Sequence, residues 1–143
     1  MKKIYVNEKW CLGCHLCEYY CAFSGSGESD MARALMGVKI NPRICIEERE
    51  GISFAISCRH CREPLCVKGC IASAITIEDG VITINTDKCV SCYTCILSCP
   101  FGAVSTSDGG VVQKCELCVN TVAGTPACVK GCPNNAIVFE ERT

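Results

Sequence analysis

Cys89-Val90-Ser91-Cys92-Tyr93-Thr94-Cys95-Ile96-Leu97-Ser98-Cys99-Pro100 is the stretch that decides the fold. Its cysteines are spaced x2, x2, x3 and are followed by proline. Three thiolates that close together wrap one face of a compact inorganic cage, and the loop's backbone N–H groups can point at the cage's sulfurs. The fourth cysteine opens the next helix and faces away from that cage. The same spacing recurs at Cys11, Cys14, Cys17 and Cys21, with Ala22 in place of the proline. Two related groups complete the pattern. Cys58, Cys61, Cys66 and Cys70 are spaced x2, x4, x3. Cys115, Cys118, Cys128 and Cys132 have nine residues in the middle gap and Pro133 after the last.

Sixteen of the 17 cysteines therefore fall into four groups of four within 143 residues. A disulfide scaffold would need an export signal and an even count. The N-terminus, Met1 to Glu8, has two lysines and no apolar stretch behind them, so metal ligation in a reducing cytoplasm is the expectation. The net charge of −1 gives no sign of a nucleic-acid or membrane-surface partner. No apolar run is long enough to span a bilayer. The 49% apolar fraction counts all those cysteines, and there is one Trp and four Phe. Such a core is thin, so bound clusters are expected to supply much of the interior. A [4Fe–4S]²⁺ cubane with four thiolates carries −2, so four would add about −8. Lys68, Lys88, Lys114 and Lys130 stand beside ligand cysteines; they either offset that charge or are solvated surface residues.

The groups are embedded in a repeat. Ala74-Ile75, Ala103-Val104 and Ala136-Ile137 follow their groups at one offset. Ile75 to Ile84 alternates about Asp79-Gly80 and reads as a hairpin, and Val104 to Val112 as a weaker one. Lys3 to Val6 and Ile137 to Glu140 read as terminal strands that pair. Between Cys21 and Cys58 lies an insertion. It reads as a Gly/Ser-rich loop from Ser24 to Asp30, a helix capped by Asp30 running through Met36 to Gly37, and a hairpin of Val38–Ile46 with Ile52–Ile56. This arm is either a partner surface or a lid over cluster-facing side chains.

Zinc needs two separated cysteine pairs and has no use for the third cysteine of a C-x2-C-x2-C run. An iron–sulfur enzyme acting on substrate keeps one iron free of protein ligands. Four cysteines per group leave none free, and no other catalytic constellation appears. His15 and His60 lie between ligands and read as residues beside the clusters or on the surface. His60 with Arg59 and Arg62 is expected to raise a cluster's potential electrostatically. Cys45, the one left over, reads as a small buried hydrophobe.

These groups, in this order, resemble the four-cluster polyferredoxin subunits of multi-subunit redox enzymes. That group includes the iron–sulfur subunits of carbon monoxide dehydrogenase, formate dehydrogenase and hydrogenase, tungsten aldehyde oxidoreductase and the dimethyl sulfoxide reductase group. The similarity runs from Ile4 to Val138 and is closest in Cys58-Arg59-His60-Cys61-Arg62-Glu63-Pro64-Leu65-Cys66 and in the nine-residue gap. Ile71 departs from it, standing where many relatives have proline. The resemblance implies an α+β fold of two ferredoxin-like double-[4Fe–4S] modules with an inserted helix/hairpin arm. It also implies nesting, one cluster using Cys11, Cys14, Cys17 and Cys132 and a second Cys115, Cys118, Cys128 and Cys21. A third would use Cys58, Cys61, Cys66 and Cys99, and the last Cys89, Cys92, Cys95 and Cys70. The repeat alone also allows sequential pairing. The outer module would be residues 1–21 with 115–143, the arm 22–57 and the inner module 58–114. The implied role is a non-catalytic, cytoplasmic subunit. It would relay single electrons through four clusters between a catalytic redox subunit and a second donor or acceptor protein. The catalytic subunit would be carbon monoxide dehydrogenase-like, aldehyde oxidoreductase-like or flavin-dependent. A cluster store or carrier is the alternative.

Overall fold

The computed structural model describes residues 1–26, 28–37, 39–119 and 124–142. Among these, every sheet is a pair of antiparallel strands. β1 (Lys3–Val6) pairs with β8 (Ile137–Glu140), which brings the chain's two ends together. β4 (Ile75–Glu78) and β5 (Val81–Ile84) form a hairpin, as do β6 (Ser105–Thr106) and β7 (Val112–Gln113). Asp79 and Gly80 hold φ of +49° and +83°. Two consecutive left-handed residues make the primed turn whose twist matches a two-stranded ribbon.

Short helices carry the third cysteine of their groups, α3 (Leu65–Gly69), α4 (Thr94–Ser98) and α5 (Ala127–Gly131), and the fourth cysteine caps the end of each helix instead of opening it. The helix of the first group, α1 (Leu16–Ser26), holds both Cys17 and Cys21 and is longer, running through the residues expected to begin the loop at Ser24. Ala22 occupies the place where proline follows Cys99 and Cys132, and alanine lets the helix continue. Asp30 caps α2 (Met31–Leu35), its carboxylate accepting the Ala32 N–H at 3.0 Å.

The next hairpin departs from the sequence reading. β2 is Cys45–Arg49, not a strand from Val38 to Ile46, and it meets β3 (Ile52–Ile56) across a tight turn at Glu50 and Gly51. Pro42, with no N–H for a ladder, lies in the irregular segment before β2; Val38 lies outside the described residues. Nor does the hairpin project. Ile44, Ile46 and Ala55 are buried in one apolar cluster with Cys17, Cys58, Cys115 and Cys128. It lies over the cysteine loops as a lid.

A second apolar cluster contains Cys66, Ile75, Ile82, Cys95, Val104 and Val112. α1 packs on α5 and α3 on α4. Side chains occupy the exposed strand edges: Glu18 Oε1 accepts the Ile46 N–H at 2.7 Å and Glu116 Oε1 the Ile84 N–H at 2.9 Å. Charged groups on a free edge satisfy its backbone and block pairing with another chain.

The α1–α5 contact depends on Gly131, where a methyl group would overlap the Tyr20 ring. Gly131→Ala is expected to destabilise the cluster-loaded protein by about 1–3 kcal/mol through overpacking. Gly25→Ala, in α1 with open space around it, should be neutral or stabilising by up to about 1 kcal/mol. Anaerobic urea midpoints of the two variants check this.

Candidate cluster sites

The loops are shaped by residues in left-handed conformation. The residue before the second cysteine of every group has positive φ: Gly13 at +66°, His60 at +45°, Ser91 at +58° and Leu117 at +58°. His15 and Tyr93 repeat this one residue after the second cysteine of the two x2, x2 runs, at +63° and +60°. Alternation into the left-handed region turns successive N–H groups toward one side and makes an anion-binding concavity. Only Gly13 carries a sequence signal for it. The others accept a conformation costing on the order of 1 kcal/mol each. The His60 and Leu117 N–H groups donate to Cys58 and Cys115 Sγ, each at 3.4 Å. Ala74 and Ala136 N–H donate to Cys70 and Cys132 Sγ, each at 3.3 Å, which is one use of the repeated alanine. Cys21, whose helix continues, receives the Arg43 N–H from the lid segment instead, at 3.2 Å. The sequence reading missed Arg43 because its contribution is a backbone donor.

The thiols gather in sets drawn from different groups. Cys11, Cys14, Cys17 and Cys132 line one cleft, together with Ile46 and Ile137. Cys70, Cys89, Cys92 and Cys95 line another, with Ile75 and Val112. Cys128 lies in the field of Cys115, Cys21 and Cys118, and Cys21, Cys115 and Cys118 open onto a cleft of about 530 Å³. Cys66 lies in the field of Cys58 and Cys99; Cys61 follows Cys58 in the same loop. Among the described residues no three His, Cys, Asp or Glu side chains converge on a point suited to one metal ion.

Burial pushes the Cys17 thiol up to about 12, helped by the Glu18 carboxylate, and burial pushes Cys115 to about 12. Cys128 is raised further, by burial and then by Cys115. Such thiols hold their protons at neutral pH, so ligation by iron releases them. The exposed Cys92 thiol is lowered instead, by the Thr94 N–H and hydroxyl.

His60 and Lys114 are the buried polar side chains among the described residues, with 2% and 1% of their surface exposed. His60 Nδ1 accepts the Ile82 N–H at 3.0 Å. Burial, then the charges of Lys114 and Lys3, lower its pKa to about 3. Its burial and the two lysine charges favour the neutral form of the ring. Its Nε2–H is a buried donor without an acceptor among the described residues. Arg59 stacks on Phe101, 4.2 Å from the ring centroid. His15 is half-buried, its Nδ1 2.9 Å from Glu18 Oε2.

Residues 50–142 match the family model described as a 4Fe-4S dicluster domain, and residues 8–24 a 4Fe-4S binding domain. The chain belongs to this family of [4Fe–4S] iron–sulfur proteins. It is 35% identical to an iron–sulfur protein of Rhodospirillum rubrum, over 94% of this chain and 79% of that one. It is 30% identical to the electron transport protein HydN of Escherichia coli, over 92% and 83%. Longer relatives, of which the chain spans 19 to 49%, include a formate dehydrogenase iron–sulfur subunit of Haemophilus influenzae. The fold is shared with a chain of the benzoyl coenzyme A reductase BamBC complex, with a TM-score of 0.52, 23% identity and coverage of 99% and 80%. The architecture is thus α+β and ferredoxin-like.

Cys45 falls in none of the thiol sets. It is exposed on β2, not buried, with Sγ 3.9 Å from Glu47 Oε1. Partial burial, then Glu18 and Glu47, raise its pKa above the ordinary 9.0. A raised thiol pKa keeps the thiolate scarce at pH 7 and lets it form as the solution becomes more alkaline. Anaerobic iodoacetamide on the loaded protein should therefore modify about one thiol per chain, slowly at pH 7 and at least tenfold faster at pH 9.5. Mass spectrometry should place the label on Cys45, and Cys45→Ser should abolish it with the visible spectrum intact.

Proposed function

We propose that the chain is a non-catalytic, cytoplasmic electron-transfer subunit that passes single electrons along a row of four [4Fe–4S] clusters. The ligand sets are Cys11, Cys14, Cys17 and Cys132; Cys21, Cys115, Cys118 and Cys128; Cys58, Cys61, Cys66 and Cys99; and Cys70, Cys89, Cys92 and Cys95. Residues 1–21 with 115–143 form the outer double-cluster module, 58–114 the inner one, and 22–57 the lid between them. When bound, each cubane takes up and releases one electron. The chain's own groups fit it: soft donors arranged around clefts, N–H groups aimed at the ligand sulfurs, and a buried His60 donor in want of an acceptor.

The observation that carries the reading is that the sets adjoin in a single order. Cys17 of the first set acts on Cys128 of the second. Cys58 of the third acts on Cys115 of the second. Cys66 of the third shares an apolar cluster with Cys95 of the fourth. The ends of this row present exposed ligands, Cys14 and Cys92. Exposed apolar residues flank them in sequence, Trp10, Leu12 and Leu16 at one end and Val90, Tyr93 and Leu97 at the other. Contiguous apolar exposure marks places where another protein sits. A catalytic redox subunit would cover one end and a second donor or acceptor protein the other.

Anaerobically purified protein should contain about sixteen irons and sixteen acid-labile sulfides per chain. Chelation should leave a largely disordered chain, since cysteines line both apolar cores; native-like hydrogen-exchange protection in the iron-free chain would contradict this. The pairing has its own test. Cys21→Ser should damage the cluster of Cys115, Cys118 and Cys128 and spare that of Cys11, Cys14 and Cys17. Loss of the latter alone, seen in a structure of the variant, would refute it. For the relay, removing an end cluster should stop steady-state transfer to the co-purifying partner while that partner keeps its activity with an artificial dye. Full transfer by such a variant would sink the single-row model, and ready transfer of clusters to an apo-protein would favour a cluster store.

A further inference from the structure

Four lysines stand beside the ligand cysteines, and burial separates one from the rest. Lys68, Lys88 and Lys130 are exposed, and Lys68 faces Glu63 at 3.7 Å. Lys114 is 1% exposed. Its Nζ donates to the Ile82 carbonyl on β5 and, at 2.8 Å, to the Cys115 carbonyl at the start of the last cysteine group. The two bonds tie the inner hairpin to the outer loop. Burying an ammonium is costly unless it is hydrogen-bonded and faces negative charge. Two carbonyls meet the first need. No ion pair of Lys114 with a carboxylate is found among the described residues. Its charge bears on thiols of two different sets, Cys66 and Cys115. Cys58 and Cys115, from those same sets, also lie within each other's field.

We propose that Lys114 is the shared counter-charge of the two central clusters, the one held by Cys21, Cys115, Cys118 and Cys128 and the one held by Cys58, Cys61, Cys66 and Cys99. The inference rests on the four-cluster relay reading and deepens it. A fully ligated cubane goes from −2 to −3 on reduction. A fixed cation in a water-poor interior favours the reduced form of any cluster near it. Lys114 faces thiols of both central sets, so it raises the two central potentials together. An electron entering at either end then moves downhill to the middle. Lys114 is a positioning residue for charge and is itself neither a ligand nor a redox group.

The test is an anaerobic redox titration of the loaded protein followed by electron paramagnetic resonance. Cys61→Ser and Cys118→Ser identify the signals of the central clusters by altering them. In the unmodified chain the first electron should appear on a central cluster. In Lys114→Met both central clusters should reduce at lower potential while the end clusters keep theirs. Lys114→Arg should restore the central potentials, and Lys68→Met and Lys130→Met should leave all four unchanged. Unshifted central potentials in Lys114→Met overturn the proposal, as does an equal shift of all four clusters. If Lys114→Met fails to hold clusters, the unmodified chain decides, and a first electron on an end cluster overturns it. Fewer than four reducible clusters in the unmodified chain defeats the relay reading itself, a result distinct from four clusters indifferent to Lys114.

Discussion

Cysteine thiols stand where a larger domain would place leucine and phenylalanine, and everything else in this fold accommodates them. Cys17, Cys58, Cys115 and Cys128 are part of one apolar core, and Cys66 and Cys95 of the other. A thiol is a small hydrophobe with little area to bury, so the protein interior gains cohesion mainly when the thiolates share an inorganic cage. The strands and helices are correspondingly short, because each has only to present one or two cysteines and a few aliphatic side chains. β6 and β7 are two residues each. Two-residue strands have no stability of their own.

Backbone geometry carries as much of the site as the side chains do. The left-handed His60 and Leu117, the alanine N–H behind Cys70 and Cys132, and the Arg43 N–H at Cys21 all bring donors to sulfur. Such donors disperse negative charge without adding a titratable group. The charged side chains nearest the loops serve a different end. Glu18 and Glu116, directly after Cys17 and Cys115, close strand edges.

What the sequence made legible follows from what is local. The terminal strands and the Asp79-Gly80 hairpin could be read because alternation and turn chemistry act over a few residues. The iron–sulfur character was legible in cysteine spacing, for the same reason. The lid hairpin was misjudged at its first strand because Val38 to Ile46 is apolar enough to suggest a strand, while Pro42 and the tight Glu50-Gly51 turn fix a later register. The exposure of Cys45 and the burial of Lys114 and His60 were not legible. Each depends on which distant segment packs over the residue, and flanking sequence says nothing about that. His60 looked like a cation beside two arginines until Ile82, Lys114 and Lys3 were seen around it.

The pairing of β1 with β8 has a consequence for how the molecule is made. Synthesis runs from one end, so the loop at Cys11 to Cys17 emerges early, yet its cleft is closed by Cys132 near the other end. The segment from Cys58 to Gln113 contains both partners of its α3–α4 contact and both of its hairpins. It can therefore begin to organise while the ribosome is still adding residues. The early loop cannot, and its thiols wait, open to oxygen and stray metals, until Cys132 has been released. A slow ribosome or a scarce iron supply would accordingly injure the site at Cys11 to Cys17 before the inner one.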